Sequence, residues 1–255
     1  MFPDIAEDDA QTRLAEAIFM ASRVNAEDPV ASWKTHNQKL KEKREWLNQN
    51  DFKEIHFKGP GTDLKVGLAD DHEWMGGASM AQNGVICNPN IPSEEVFTTP
   101  HALRVEGYVS STKPLSHQGT LIDNIRVVFE KGSITDAKAS KGETVLKKVL
   151  ESDEGARRLG EVALVPNSSP ISNSGLLFYN TLFDENAACH IALGQCYSKC
   201  FKGETNLSTS EIRERGGNSS MIHIDWMIGS GEIDIDGFGK NGEIEPIFRK
   251  GEWVD

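Results

Sequence analysis

Polar and apolar side chains alternate over residues 221–229, and this alternation predicts a β-strand. A strand places His223 and Asp225 on one face and the apolar residues Ile224 and Trp226 on the other. The apolar face is expected to pack on a core, whereas a carboxylate on the opposite face is costly unless a positive group meets it. A divalent metal ion is one such group, because imidazole and carboxylate are common ligands. The alternative, which the pair alone favours, is a buried His–Asp hydrogen bond without a metal.

Helical periodicity characterises the N-terminal part of the chain. Residues 7–24 carry apolar side chains at helical spacing. A second helix is predicted to begin at Asp28 and Pro29, because aspartate is a good cap and proline fits the first helical position. We therefore expect a helical lead-in segment over residues 1–50, followed by a strand-rich remainder over residues 51–255.

The period changes to that of strands after the lead-in segment. Strands are predicted within residues 55–57, 64–68, 104–110, 122–129, 161–166 and 233–254, and a short helix over residues 143–150. Strands and helices mix without regular βαβ units, which predicts the α+β or mixed α/β class. We expect a mixed β-sheet domain with flanking helices.

Residues 184–200 are predicted to form a further helix, capped by Asp184. His190 and Tyr197 are seven residues apart, so a helix would place them on one face. Alanine, isoleucine and leucine surround that face, which predicts that the helix is largely buried. Buried polar groups need partners, so this polar face is a candidate site.

Carboxylates elsewhere in the chain could complete such a site. Glu161 opens an apolar strand, with an arginine-paired surface glutamate as the alternative interpretation. Glu94 and Glu95 adjoin an extended segment, where neighbouring side chains point in opposite directions, so at most one of them would enter a shared site. For either acid the alternative is a solvated side chain. Bridging carboxylates can offset the charge of two divalent metals, and the candidate residues are Glu95, Glu161, His190, Tyr197, His223 and Asp225, with Glu185 as an extra.

Composition narrows the class of protein. The formal net charge of −12 argues against a nucleic-acid or anionic-membrane partner. The N-terminus has no basic and apolar signal sequence, and no segment approaches the roughly 18 apolar residues of a membrane helix, so a cytoplasmic location is predicted. The sequence contains no HExxH helix, no GxSxG elbow and no P-loop.

The four cysteines do not have the spacing of a secreted disulfide scaffold. We interpret them as reduced thiols in a reducing compartment. A structural zinc on Cys189, Cys196, Cys200 and His190 is a weaker alternative.

Four segments, taken in order, resemble the thermophilic-type metalloaminopeptidases, the family of aminopeptidases T and S. They are residues 91–100, residues 158–166, residues 183–194 and residues 222–229, and the tail over residues 246–253 is also similar. The resemblance covers essentially the whole chain. It implies that residues 51–255 form a metal-dependent catalytic domain and that a further N-terminal domain precedes the helices in similar proteins, so we expect the chain to begin near that junction.

The resemblance also implies site residues and partners. Glu95, Glu161, His190, His223 and Asp225 match the family's metal-ligand positions, Tyr197 matches a tyrosine of the site, and Glu185 stands in the motif before His190 as a further ligand. Glu161 is expected to bridge two divalent ions, with zinc or cobalt ahead of manganese or magnesium. The implied protein is a homodimeric, leucine-preferring aminopeptidase of broad specificity that acts on peptides with a free N-terminus.

The expected chemistry is hydrolysis of the first peptide bond by a metal-activated water. Glu161 and Tyr197 are the expected catalytic residues, with Tyr197 coordinating a metal or stabilising the oxyanion. Glu94 is the predicted proton shuttle. Two alternatives stay open: a related amidase or dipeptidase, and a non-catalytic or weakly active metal-binding fragment.

Overall fold

The computed structural model describes residue 2, residues 4–203 and residues 206–254. The helices are α1 (Glu7–Ala21), α2 (Pro29–Asn50), α3 (Glu143–Leu150), α4 (Pro170–Ser174), α5 (Thr181–Asp184) and α6 (Thr209–Glu214). The strands of the N-terminal half are β1 (Glu54–Gly59), β2 (Thr62–Leu68), β3 (Ser79–Met80), β4 (Ile86–Cys87), β5 (Val96–Thr98), β6 (Pro100–Ser110), β7 (Leu115–His117) and β8 (Thr120–Ile122). The remaining strands are β9 (Arg126–Glu130), β10 (Ser133–Lys138), β11 (Leu159–Leu164), β12 (His190–Gly194), β13 (His223–Met227), β14 (Asp234–Phe238), β15 (Ile244–Arg249) and β16 (Glu252–Trp253).

Two sheets organise the fold. The larger sheet has eight strands in the order β10-β9-β6-β2-β1-β14-β15-β16, and the smaller one has four in the order β13-β12-β11-β5. Neighbouring strands are antiparallel throughout the described residues. The predicted α+β class with flanking helices is confirmed, although the sheets do not mix strand directions in this part of the chain.

One apolar core joins the two sheets. Phe57 and Val105 contribute from the larger sheet, and Val162, Ile191 and Trp226 contribute from the smaller one. These five side chains are 0–1% exposed. Burial of this apolar surface is the main favourable term that holds the sheets together. The opposite face of the smaller sheet is left free to carry polar groups.

Both predicted N-terminal helices are present. The Asp28 side chain caps α2 by accepting a hydrogen bond from the Ala31 N–H at 2.9 Å, and Pro29 takes the first helical position. Leu40 and Leu47 on α2 belong to the main core. The division between residues 1–50 and residues 51–255 stays a prediction. Among the described residues, none of the helices combines the length and apolarity that crossing a bilayer requires.

The helix predicted over residues 184–200 is wrong. Helix α5 ends at Asp184, a 3₁₀ turn covers Glu185–Ala187, and β12 runs from His190 to Gly194. A short apolar run is compatible with either a buried helix or a buried strand, and its sequence alone does not decide. Pairing with β11 on one side and β13 on the other satisfies the backbone of β12 and makes it a strand.

Replacing Leu47 by alanine tests whether α2 is a structural part of the main core. Leu47 is 0% exposed, so Leu47→Ala should lower the free energy of unfolding by about 2–5 kcal/mol through lost burial and a cavity. Val30, on the same helix, is 65% exposed, and Val30→Ala should change that free energy by less than about 0.5 kcal/mol. Urea unfolding of the three chains measures both values. Equal effects of the two substitutions would contradict this packing.

Candidate metal centre

The register of the smaller sheet brings distant residues onto one face. Glu161 on β11 lies opposite Ala192 on β12, which in turn lies opposite Asp225 on β13. Residues directly opposite each other in an antiparallel pair share a face. Because side chains alternate, His190 lies on this face of β12 and His223 lies on this face of β13. The small side chain of Ala192 leaves space between the two carboxylates.

Two groups of ligand-type atoms converge on this face. One comprises Glu95, Glu161 and His190, and the other comprises Glu161, His223 and Asp225. Within each group the atoms lie within 4.8 Å of one another. Glu161 belongs to both groups: its Oε1 is 4.0 Å from His190 Nε2, and its Oε2 is 3.3 Å from His223 Nε2.

Backbone carbonyls orient both imidazole rings. The ring nitrogen Nδ1 of His190 lies 3.1 Å from the Ala188 carbonyl oxygen, and that of His223 lies 2.7 Å from the Gln195 carbonyl oxygen. A carbonyl only accepts, so Nδ1 carries the hydrogen in each ring. Nε2 of each ring then faces the carboxylates, and loss of its proton would expose a lone pair in the usual orientation of a metal-binding histidine.

The Glu95 carboxylate supports a cation at this position. Glu95 is 9% exposed, and its Oε2 lies 3.0 Å from His190 Nε2. The same oxygen is buried and has no hydrogen bond of acceptable geometry. A buried carboxylate oxygen without a hydrogen bond is costly, and a divalent cation would remove that cost. The nitrogen and oxygen donors of the two groups fit zinc-like ions.

Two acids that line this centre, Glu161 and Glu185, resist ionisation in the metal-free protein. Burial and the neighbouring Glu95 and Asp225 carboxylates raise the pKa of Glu161 to about 7. Burial is also the main reason why the pKa of Glu185 rises to about 9. In the described part of the chain, no lysine or arginine forms an ion pair with Glu95, Glu161 or Asp225.

The pKa values of the two imidazoles, His190 and His223, are raised as well. Burial alone would lower the pKa of each ring, but the nearby carboxylates outweigh it. Glu95 and Asp225 help to raise the pKa of His190 to about 10, and Asp225 and Glu161 raise the pKa of His223 to about 11. The metal-free centre therefore holds protons where the bound form would hold cations.

A cavity of about 450 Å³ opens onto the centre. Glu95, Glu161, Glu185, His190, Tyr197, His223 and Asp225 all contribute to its lining. Two basic residues also line it, but their side chains have other contacts. Arg44 donates to the Gly76 carbonyl at 3.4 Å, and Lys199 Nζ lies 4.9 Å from the centroid of the Phe97 ring. Arg44 and Lys199 therefore line the same cavity as the carboxylates without pairing with them.

Tyr197 forms part of the cavity wall rather than of either ligand group. Its ring centroid lies 4.8 Å from that of His223 and 5.8 Å from that of Phe97, and the residue is 40% exposed. Burial and the nearby Glu161 charge raise the pKa of its phenol. The hydroxyl therefore keeps its proton and can donate a hydrogen bond into the cavity.

Glu185 lines the cavity but lies outside both ligand groups. The 3₁₀ turn that carries it also carries Asn186, which is fully buried. The Asn186 Oδ1 accepts a hydrogen bond from the Glu94 N–H at 2.6 Å, and its Nδ2 donates to the Leu182 carbonyl at 2.9 Å. Asn186 thus joins the Glu185 turn to the segment that carries Glu95. The helix predicted over residues 184–200 includes Asn186 and gave no indication of this contact.

Glu94 points away from the cavity, and the predicted proton-shuttle role does not fit this position. Its carboxylate forms a bidentate ion pair with Arg23, and it is 3% exposed. Both oxygens are therefore occupied by a permanent cation. The expectation that only one of two adjacent acids enters the site agrees with this geometry, but nothing in the sequence near Glu94 indicated that Arg23 would be its partner.

The cysteines do not form a zinc site with His190 in this structure. All four are unpaired thiols, and Cys189, Cys196 and Cys200 are buried. The Cys189 thiol donates to the Val165 carbonyl at 3.3 Å, whereas His190 Nε2 faces Glu95. Burial raises the pKa of Cys189 to about 12, so this thiol is a poor metal ligand.

Two solved structures resemble this chain in fold. The wild-type AmpT structure from Thermus thermophilus superimposes with a TM-score of 0.93 at 52% identity, and the match covers 100% of this chain and 61% of that one. A 2,5-dihydroxypyridine dioxygenase from Pseudomonas putida matches 84% of this chain and 59% of its own, with a TM-score of 0.53 at 14% identity. The second likeness concerns the fold alone.

The matches to relatives in sequence cover the whole of this chain but only part of each relative's length. Aminopeptidase T from Thermus thermophilus is 53% identical, and Aminopeptidase 2 from Geobacillus stearothermophilus is 48% identical. Each match spans 100% of this chain and 62% of the relative. The family model described as thermophilic metalloprotease (M29) matches residues 1–253. The chain therefore belongs to the thermophilic metalloprotease family.

Proposed function

We propose that the chain carries the catalytic centre of a metalloaminopeptidase that removes the N-terminal residue of peptides. The single observation that carries the proposal is the position of Glu161 in two converging ligand groups, one with Glu95 and His190 and the other with His223 and Asp225. Two groups that share one carboxylate suit a pair of divalent ions. The names of the relatives, which are aminopeptidases, supply the reaction class.

The ions would be held by the two imidazoles and three carboxylates, with Glu161 bridging. Zinc or cobalt fits this mixture of nitrogen and oxygen donors, with manganese or magnesium as alternatives. When bound, such ions polarise a carbonyl oxygen and lower the pKa of water toward neutrality. The protein's own contribution is to fix the donors, because backbone carbonyls orient both rings and the strands of the smaller sheet are buried in the fold.

Glu185 is our candidate for proton transfer in place of Glu94. It lines the cavity and forms no ion pair with any described lysine or arginine. Bound cations would lower its raised pKa, and its carboxylate would then accept the proton of the attacking water and deliver it to the leaving amine. If Glu185 instead approaches a cation as a ligand, as the family resemblance implies, its replacement would lower metal content as well as rate.

Tyr197 is proposed to stabilise the oxyanion that forms on the scissile carbonyl. Its protonated hydroxyl can donate a hydrogen bond, and its ring packs against the ligand His223 at 4.8 Å. A free α-amine, in its neutral form, would be a further nitrogen donor for a bound cation, which favours substrates with a free N-terminus. The cytoplasmic location, which is predicted from the sequence, and the homodimeric state, which the family resemblance implies, are also part of the proposal.

Replacement of Glu161 by glutamine tests the bridging role. Glu161→Gln removes the shared negative charge, so bound metal should fall by at least one ion per chain and leucyl-amide hydrolysis should fall by about 10³-fold or more. The exposed Glu232→Gln substitution is the matched control and should change neither value. Elemental analysis and a steady-state assay provide the measurements. Full metal content with full activity in Glu161→Gln would reject the centre.

A substrate whose α-amine is blocked separates the proposed function from its alternatives. The wild-type chain should cleave leucyl amide and leave N-acetyl-leucyl amide intact. Cleavage of the blocked substrate would instead favour an amidase. Stoichiometric metal binding without turnover of any unblocked peptide would favour a non-catalytic metal-binding protein.

Removal of the Tyr197 hydroxyl tests the oxyanion role. Tyr197→Phe retains the ring and its packing but loses the donor, so kcat should fall by about 10²-fold or more. Metal content should stay at the wild-type value, because the phenol keeps its proton and is not a ligand in this proposal. A large loss of bound metal in Tyr197→Phe would show that the residue coordinates an ion instead.

The raised pKa values predict how the stability of the metal-free chain depends on pH. Glu161, Glu185, His190 and His223 all have raised folded-state values, of about 7, 9, 10 and 11. Between about pH 7 and pH 9 the folded chain therefore binds more protons than the unfolded chain, and its free energy of unfolding should fall as pH rises. Burial lowers the pKa of His36 and His72, so these rings change charge below this range.

Urea unfolding of chelator-treated protein at about pH 7 and about pH 9 measures how the free energy of unfolding changes with pH. Zinc must displace the extra protons, so the stabilisation by added zinc should be greater at the higher pH. Glu185→Gln removes one of the groups and should give a shallower slope. A metal-free chain that becomes more stable between about pH 7 and pH 9 would contradict the assignment.

A further inference from the structure

Glu94 and Glu95 are adjacent buried acids with different partners. Both oxygens of Glu94 accept hydrogen bonds from Arg23, one of them from Nη2 at 2.8 Å and the other from Nη1. Glu95, the next residue, has a buried oxygen with no hydrogen bond. The side-chain exposures of Arg23 and Glu94 are 16% and 3%, so solvent screens this pair little. An ion pair that is well shielded and bidentate holds its residues more firmly than an exposed one.

Arg23 occupies an unusual backbone position. The Arg23 N–H donates to the Met20 carbonyl and the Val24 N–H donates to the Phe19 carbonyl, which together form a Schellman motif at the end of α1. The φ angle of Arg23 is +59°, a left-handed conformation that favours glycine. The turn itself therefore does not favour an arginine at this position. Its contacts lie instead at the far end of its side chain.

Helix α2 fixes the guanidinium and the segment before Glu95. Arg23 Nη2 lies 3.2 Å from His36 Nδ1, and His36 Nε2 lies 2.7 Å from the Ser93 carbonyl oxygen. A neutral His36 satisfies both contacts, because Nε2–H donates to the carbonyl and Nδ1 accepts from the arginine. The guanidinium carbon also lies 5.1 Å from the centroid of the Trp33 ring, a cation–π contact.

The opposite side of Glu94 is held as well. Its N–H donates to the buried Asn186 Oδ1 at 2.6 Å. Two residues after Glu94 the chain enters β5, where Val96 pairs with Leu164 of β11. Glu95 therefore sits between a segment clamped by Arg23 and a strand fixed in the smaller sheet. Its Cα has little freedom to move away from His190.

We propose that Arg23 acts through Glu94 as a positioning residue for the ligand Glu95. The end of α1 thereby sets the affinity of the cation that Glu95 and His190 would hold. This inference rests on the proposed metal centre, but it concerns metal affinity and not turnover. The other ligand group, with His223 and Asp225, has no contact with Arg23 and should be affected less.

Titration of the 255-residue metal-free chain with cobalt(II) alone tests whether Arg23 positions Glu95. Arg23→Met should weaken the more sensitive cobalt site by about 10- to 100-fold and alter its visible absorption bands, as the loss of an outer partner of a metal ligand does. Arg23→Lys keeps the charge but loses the bidentate fork, so it should show a smaller change in the same direction. The exposed ion pair of Arg104 with Asp70 provides the control, and Arg104→Met should leave both sites unchanged.

A double variant separates positioning from folding. Arg23→Met combined with Glu94→Met removes both buried charges. The free energy of unfolding of this double variant should therefore lie closer to the wild-type value than that of Arg23→Met alone. Cobalt affinity should stay weak in the double variant, because no ion pair holds the segment. Wild-type affinity and spectrum in the double variant, or in a folded Arg23→Met chain, would overturn the proposal. A wild-type chain that binds no cobalt would refute the metal centre itself, which is a different result.

Discussion

Buried negative charge is the constraint on which the functional face of this protein depends. Glu95, Glu161 and Asp225 are each less than 10% exposed and lie on or beside one four-stranded sheet. Two imidazoles are the basic groups within ion-pair distance of them among the described residues. Carboxylates in such a place must either keep protons or meet cations. The raised pKa values of Glu161, His190 and His223 describe the first state, and divalent metal binding would replace it with the second.

The fold can tolerate this arrangement because the same strands contribute to the core on their other face. Val162, Ile191 and Trp226 anchor β11, β12 and β13 in the apolar interior. Alternation then directs Glu161, His190 and Asp225 to the opposite side, and the strand register decides their spacing. A one-residue slip of any of these strands would exchange its two faces. The apolar packing therefore does more than stabilise the fold, since it also prevents the ligands from changing partners.

Much of this arrangement was predictable, and the exceptions have physical causes. The alternation around His223 and Asp225 predicted a strand with two unlike faces, and the apolar run after Glu161 predicted another. The run from Ala187 to Gly194 was assigned to a helix, because a short apolar segment looks the same in both structures until its neighbours are known. His190 was still selected, first from the polar face of that wrongly predicted helix and then through the family resemblance. Residues such as Arg23 and Asn186 were missed because their partners are distant in sequence.

The contrast between Glu94 and Glu95 indicates how a protein distinguishes a structural acid from a ligand. The two residues are adjacent, both are buried, and both carry the same carboxylate. The fold supplies Glu94 with a complete set of partners from its own chain, with Arg23 on one side and Asn186 at its backbone. A comparable arginine beside Glu95 would stabilise the metal-free protein, but it would also occupy the position that a cation needs. Glu95 Oε2 faces the ring of His190 instead, whose extra proton a divalent ion can displace, so this position stays open to metal binding. The ion pair of Glu94 with Arg23 thus keeps Glu95 in place, while the Glu95 carboxylate itself stays open to a cation.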